Sequence, residues 1–148
     1  MLSGKADLIE VGPNGYAVVD FKTGSPASVP EVQAGFDPQL PLTAIMLAEG
    51  SIGDLDAGPT EDLIYAEVKG YNDKGVESSL VRARKGLPAV DYAASAREEL
   101  IKLIREFDNP ATPYYSQPRR KFTHDWSDFD DLARRGEWAE AGGEGADG

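Results

Sequence analysis

The chain has 148 residues, one domain in size, and its 41% hydrophobic content supplies one ordinary core. With no cysteine it has neither disulfides, cysteine-ligated zinc nor an iron–sulfur cluster. No apolar run reaches membrane-spanning length and no signal-peptide pattern opens the sequence, so a cytoplasmic protein is expected.

Residues 5–11 (KADLIEV) and 16–21 (YAVVDF) read as two short strands, separated by the turn signal Gly12-Pro13-Asn14-Gly15. A loop over 25–38 carries Pro26, Pro30 and Pro38, with a short helical turn near Glu31–Ala34. Residues 39–49 read as a mostly buried helix, which must begin close to Pro41 because proline is tolerated only in the first turn. A Gly, Asp and Pro-rich loop follows over 50–60. Residues 62–69 alternate as a third strand and 77–83 read as a fourth. The clearest helix is 91–107, with Ala93, Ala96, Leu100, Leu103, Ile104 and Phe107 on one face, stopped by Asp108-Asn109-Pro110. Beyond it lie an irregular aromatic segment, a short helix near 127–135 and a Gly/Glu-rich tail, 141–148, expected to be disordered. The pattern predicts an α/β fold: a mixed sheet with 5–21 as its central hairpin and the 39–49 and 91–107 helices packed on it.

Register decides what the hairpin does. If Pro13 and Asn14 form the loop, Asp7 lies opposite Asp20; if Asn14 and Gly15 do, Asp7 lies opposite Lys22. Directly paired residues share a face and side chains alternate, so both registers put Asp7, Asp20 and Lys22 on one side, with Ile9 and Val18. Leu8, Val19 and Phe21 point the other way. Two carboxylates at the edge of buried surface repel, and one must take a proton or both must share a cation. Oxygen donors suit Mg²⁺ or Mn²⁺, and a lysine beside them orients an attacking water and offsets phosphate charge. The plainer alternative is a surface ion pair between Asp7 and Lys22, worth little.

Three stretches carry a resemblance: Gly4-Lys5-Ala6-Asp7, then Val18-Val19-Asp20-Phe21-Lys22-Thr23-Gly24, then Pro38-Gln39-Leu40-Pro41-Leu42. In this order they resemble the RecB-like nucleases of the PD-(D/E)xK type, and the C-terminal nuclease domain of AddB in particular. Asn109 to Tyr114, Leu132-Ala133-Arg134 and Glu137-Trp138 add to the likeness. The resemblance implies a restriction-endonuclease-like mixed sheet flanked by helices. It implies Asp7, Asp20 and the Phe21 carbonyl as metal ligands for Mg²⁺ or Mn²⁺. Lys22 would be the catalytic lysine, and Gln39 would position the lysine or the DNA backbone. It further implies a metal-dependent DNA exonuclease, acting on double- and single-stranded DNA beside an AddA-like helicase–nuclease subunit to prepare breaks for recombinational repair.

The sequence departs from the family at Phe21, where tyrosine is usual, and at Thr43, where many relatives carry tyrosine. The helix preceding the first motif, with its additional acidic ligand, is missing, as are the cluster cysteines of some relatives. Residues 1–140 are therefore expected to be a nuclease-domain fragment from the C-terminal part of a longer protein, inactive or nearly so alone. The alternative is a catalytically inactive, nuclease-like domain that docks DNA or partner subunits.

The net charge of −11 opposes free-standing DNA binding. Lys5 and Lys22 lie near the expected centre, however, and Arg119, Arg120 and Lys121 form a basic cluster that reads as phosphate contacts or a solvated loop. His124, the single histidine, reads as a surface residue before a ligand. Trp126, Phe129 and Trp138 read as anchors of the C-terminal segment before base-stacking platforms.

Overall fold

The computed structural model describes residues 3–70 and 75–113. The expectations for Arg119, Arg120, Lys121, His124, Trp126, Phe129, Trp138, the 127–135 helix and the 141–148 tail lie outside the described residues. Residues 1–109 form one compact unit, which the following concerns.

In chain order the elements are β1 (Leu8–Val11), β2 (Tyr16–Lys22), α1 (Val29–Gln33), α2 (Gln39–Ala48), β3 (Thr60–Glu67), β4 (Val76–Ser79) and α3 (Ala89–Phe107). The strands form one sheet in the order β1-β2-β3-β4. β1 and β3 flank β2, antiparallel and parallel respectively, and β4 runs antiparallel to β3. The sheet is mixed, as the sequence predicts, but the first hairpin forms one side of it rather than its centre; β2 and β3 are the inner strands.

The hairpin closes over Pro13 and Asn14, with the Gly12 amide donating to the Gly15 carbonyl at 2.8 Å. Leu8 pairs with Val19 and Ile9 with Val18, which is the first of the two registers open from sequence. Gly15 makes the turn possible. Its φ is +153°, and a Cβ there would lie 2.3 Å from the Pro59 carbonyl oxygen. That same oxygen accepts the Tyr16 amide at 2.9 Å, stitching the hairpin to the start of β3.

The parallel pairing of β2 with β3 requires a crossover, and α1 and α2 supply it. α2 carries Leu40, Ala44 and Leu47 at helical spacing, all buried, with Pro41 inside its first turn. These side chains cover the sheet face that presents Tyr16, Val18, Leu63 and Tyr65, making the principal core. Val19, Ile64 and Ala66 form a second, smaller cluster on the opposite face.

α3 begins two residues earlier than its apolar spacing suggests and is anchored by Ala89 and Tyr92. The Tyr92 hydroxyl donates to the Leu80 carbonyl at 3.3 Å. The predicted apolar stripe divides: Ala93 packs against the core, whereas Leu103 and Ile104 stay about half exposed, at 45% and 50%. Spacing fixes which residues share a face; it does not fix how far along the helix the neighbouring layer reaches.

Candidate metal and phosphodiester site

Asp20 sits near the C-terminal end of an inner parallel strand, where the sheet runs out and ligands can approach. The hydrophobic row Tyr16, Val18 and Asp20 runs along the face covered by α2, and the carboxylate ends it with only 3% exposure. Lys22 is the next residue on that face. Asp7 lies just before β1, in line with Asp20 by the β1–β2 register, and is exposed. Its Oδ2 accepts the Phe21 amide at 3.1 Å, which fixes this carboxylate beside the end of β2. In a strand the N–H and C=O of one residue point to the same side. The Phe21 carbonyl therefore lies on the Asp7 side of β2, while its side chain is half exposed on the other face.

Two residues not singled out from sequence complete the cluster. Lys22 Nζ lies 2.9 Å from Asp20 Oδ2 and 3.0 Å from Asp37 Oδ2. It also sits 5.5 Å from the centroid of the Tyr65 ring, a cation–π distance. Tyr65 is the β3 partner of Asp20 in the parallel register. Asp37 comes from the link between α1 and α2. The signals were thin: a lone hydroxyl in the apolar run Leu63-Ile64-Tyr65-Ala66, and an acid just before the glutamine helix.

Burial pushes the Asp20 carboxyl above the ordinary range; Lys22 opposes this, and the Asp7 and Asp37 charges add to it. Burial pulls the Lys22 ammonium down, but its bonds to Asp20 and Asp37 outweigh that and hold it above its usual value. Lys22 is thus a cation, suited to donate hydrogen bonds and to stabilise negative charge. The Tyr65 phenol is raised by burial first and then by Asp37.

Gln39 is the first residue of α2, two positions after Asp37, and its carbonyl accepts the Thr43 hydroxyl at 2.9 Å. Thr43 is buried, and its hydroxyl is engaged in this bond within its own helix.

Among the described residues no three acidic or histidine side chains converge as a ready-made metal cage. The oxygen donors present are the Asp7 and Asp20 carboxylates and the Phe21 carbonyl. This set fits Mg²⁺, which keeps several waters and is held by one or two carboxylates together with substrate phosphate. It does not suit a softer metal, which would want nitrogen or sulfur.

Among the described residues no helix is long and apolar enough to cross a membrane. No individual curated protein and no solved structure matches the chain. A family model does, over residues 1–120: that of the PD-(D/E)XK nuclease superfamily. The match covers most of the chain, including the hairpin, the lysine and the glutamine helix, and the chain belongs to the PD-(D/E)XK nuclease superfamily.

Proposed function

We propose that this domain hydrolyses phosphodiester bonds of DNA with a divalent cation, Mg²⁺ or Mn²⁺, at Asp7 and Asp20. The observation that supports it best is the juxtaposition of two opposed carboxylates and an ammonium on one sheet face, in a chain of a nuclease superfamily. Asp7 and Asp20, with the Phe21 carbonyl, would hold the cation. When bound, it supplies Lewis acidity at the phosphoryl oxygen and lowers the pKa of a bound water. Lys22 donates to the attacking water and to the phosphoryl oxygen on which negative charge builds. Water gives up a proton to solvent as its oxygen bonds to phosphorus, the ester P–O bond breaks, and the departing oxygen takes a proton from solvent and leaves as a hydroxyl end. Gln39, at the start of α2, would position the lysine or the DNA backbone.

The fragment resemblances at the motifs and at 109–114 support a finer reading: an AddB-type exonuclease that trims DNA ends beside a helicase–nuclease partner during recombinational repair. The net charge of −11 agrees with an assembly in which other surfaces hold the DNA. Within the Debye length, roughly 10 Å at moderate salt, this chain repels phosphates.

The test is cleavage of linear duplex DNA by the assembled protein carrying Asp20→Ala or Lys22→Ala. Both substitutions abolish cleavage on this reading, since the groups act as a unit. Cleavage near the wild-type rate by Lys22→Ala would refute the catalytic assignment. A second reading, a nuclease-like domain that only docks DNA or a partner, is favoured by the lack of three converging ligands among the described residues. Calorimetry with Mn²⁺ separates the two: measurable binding that Asp20→Ala removes supports the nuclease, and its absence in the assembled protein supports docking.

A further inference from the structure

Lys22 has two carboxylate partners at nearly equal distance, and only one of them belongs to the hairpin. The other, Asp37, is built into position. α1 ends in a Schellman turn: the Gly35 amide donates to the Val32 carbonyl at 2.9 Å and the Phe36 amide to the Glu31 carbonyl at 3.0 Å, with Gly35 at φ +77°. Immediately afterwards Pro38 caps α2, whose buried face is locked into the core. Asp37 is therefore fixed from both sides, with its side chain about one-fifth exposed.

The arrangement answers a difficulty in the proposed chemistry. Asp20 Oδ2 is the atom on which Lys22 rests, and it belongs to the carboxylate that would serve the cation. Were Asp20 the lysine's only partner, engagement of that carboxylate would release a long, flexible side chain. We propose that Asp37 is the positioning residue for Lys22, holding the ammonium over the Tyr65 ring at its working place when Asp20 is engaged. Asp37 acts through Lys22, not on the phosphate. A ligand role does not suit it, because Asp7, Asp20 and Asp37 do not form a three-carboxylate cation site. The inference rests on Lys22 being the catalytic lysine, as proposed above.

The experiment uses the full chain with Asp37→Asn and Asp37→Glu, and Lys22→Ala as reference. The first readout is the ¹H–¹⁵N ammonium signal of Lys22, assigned by its loss in Lys22→Ala and recorded with and without Mg²⁺. A signal that persists with Mg²⁺ in wild type, broadens away in Asp37→Asn and returns in Asp37→Glu supports the proposal. An unchanged signal in Asp37→Asn overturns it. The second readout is Mn²⁺ affinity by calorimetry; loss of affinity in Asp37→Asn would make Asp37 a ligand and also overturns it. The third is DNA cleavage in the assembled protein. There Asp37→Asn should lower kcat by about 100-fold, the order that misplacing a reacting group costs, with KM little changed. Wild-type kcat in Asp37→Asn alongside inactive Lys22→Ala overturns the positioning role and leaves the nuclease reading standing. An active Lys22→Ala refutes the catalytic assignment of Lys22, on which this inference rests. Thermal unfolding of each variant distinguishes a displaced lysine from a misfolded chain.

Discussion

Tyr65 is the residue whose chemistry depends most on its surroundings. It is 1% exposed, faces Asp20 across the parallel ladder, and lies under a lysine held by two acids. Its hydroxyl is sealed from solvent without a well-formed hydrogen bond among the described residues. Burial and the neighbouring Asp37 raise its pKa, so the folded state keeps its proton after the unfolded chain would have lost it. For an acid of this kind the associated stability is whole below the unfolded pKa, about 10 for a phenol, and drains away as pH rises beyond it. Urea unfolding between neutral and strongly alkaline pH should show that decline, and Tyr65→Phe should flatten it. A decline of equal slope in Tyr65→Phe would assign the alkaline sensitivity to another group.

At the scale of elements, the hairpin is the part on which the candidate site depends, and its turn tolerates little. Alanine at position 15 combines an unfavourable φ with a collision against the backbone of Pro59. Gly15→Ala should therefore cost about 2–4 kcal/mol, as strained backbone and overpacking do together. A shift in the urea midpoint would measure it, and a cost below about 0.5 kcal/mol, the range of ordinary surface changes, would show that the turn rearranges freely.

This hairpin was also the element most legible in the sequence. A turn signal and period-two strands are local, so the shared face of Asp7, Asp20 and Lys22 could be read in either register before the structure selected one. Asp37 and Tyr65 could not be read in this way. They reach Lys22 only through a parallel crossover, and pairing across a crossover leaves no mark of its register in either segment. The half-exposed end of α3 was hidden for a related reason, since its stripe reports a shared face and not the extent of the layer that covers it.

Over the whole molecule, one sheet face serves both as the principal core and as the floor of the candidate site. Val18 and Asp20 are consecutive members of one row: the first packs beneath α2, and the second carries a charge out of water next to two more acids. The core would be better filled by an uncharged group at that point. On the proposed reading, position 20 would trade stability for chemistry. Asp20→Asn should raise the melting temperature, by the equivalent of about 0.5–2 kcal/mol typical of such relieved sites, while cleavage is lost. Mg²⁺ should raise the melting temperature of the wild type, because a ligand that binds only the folded chain stabilises it, and should leave Asp20→Asn unmoved. A variant that melts lower than wild type without metal would mean that the Lys22 pairing outweighs the cost of burial. If Asp20→Asn instead melts higher, directed selection for heat resistance alone should discard this carboxylate first, so that the most durable descendants of the fold would be those that have lost the proposed chemistry.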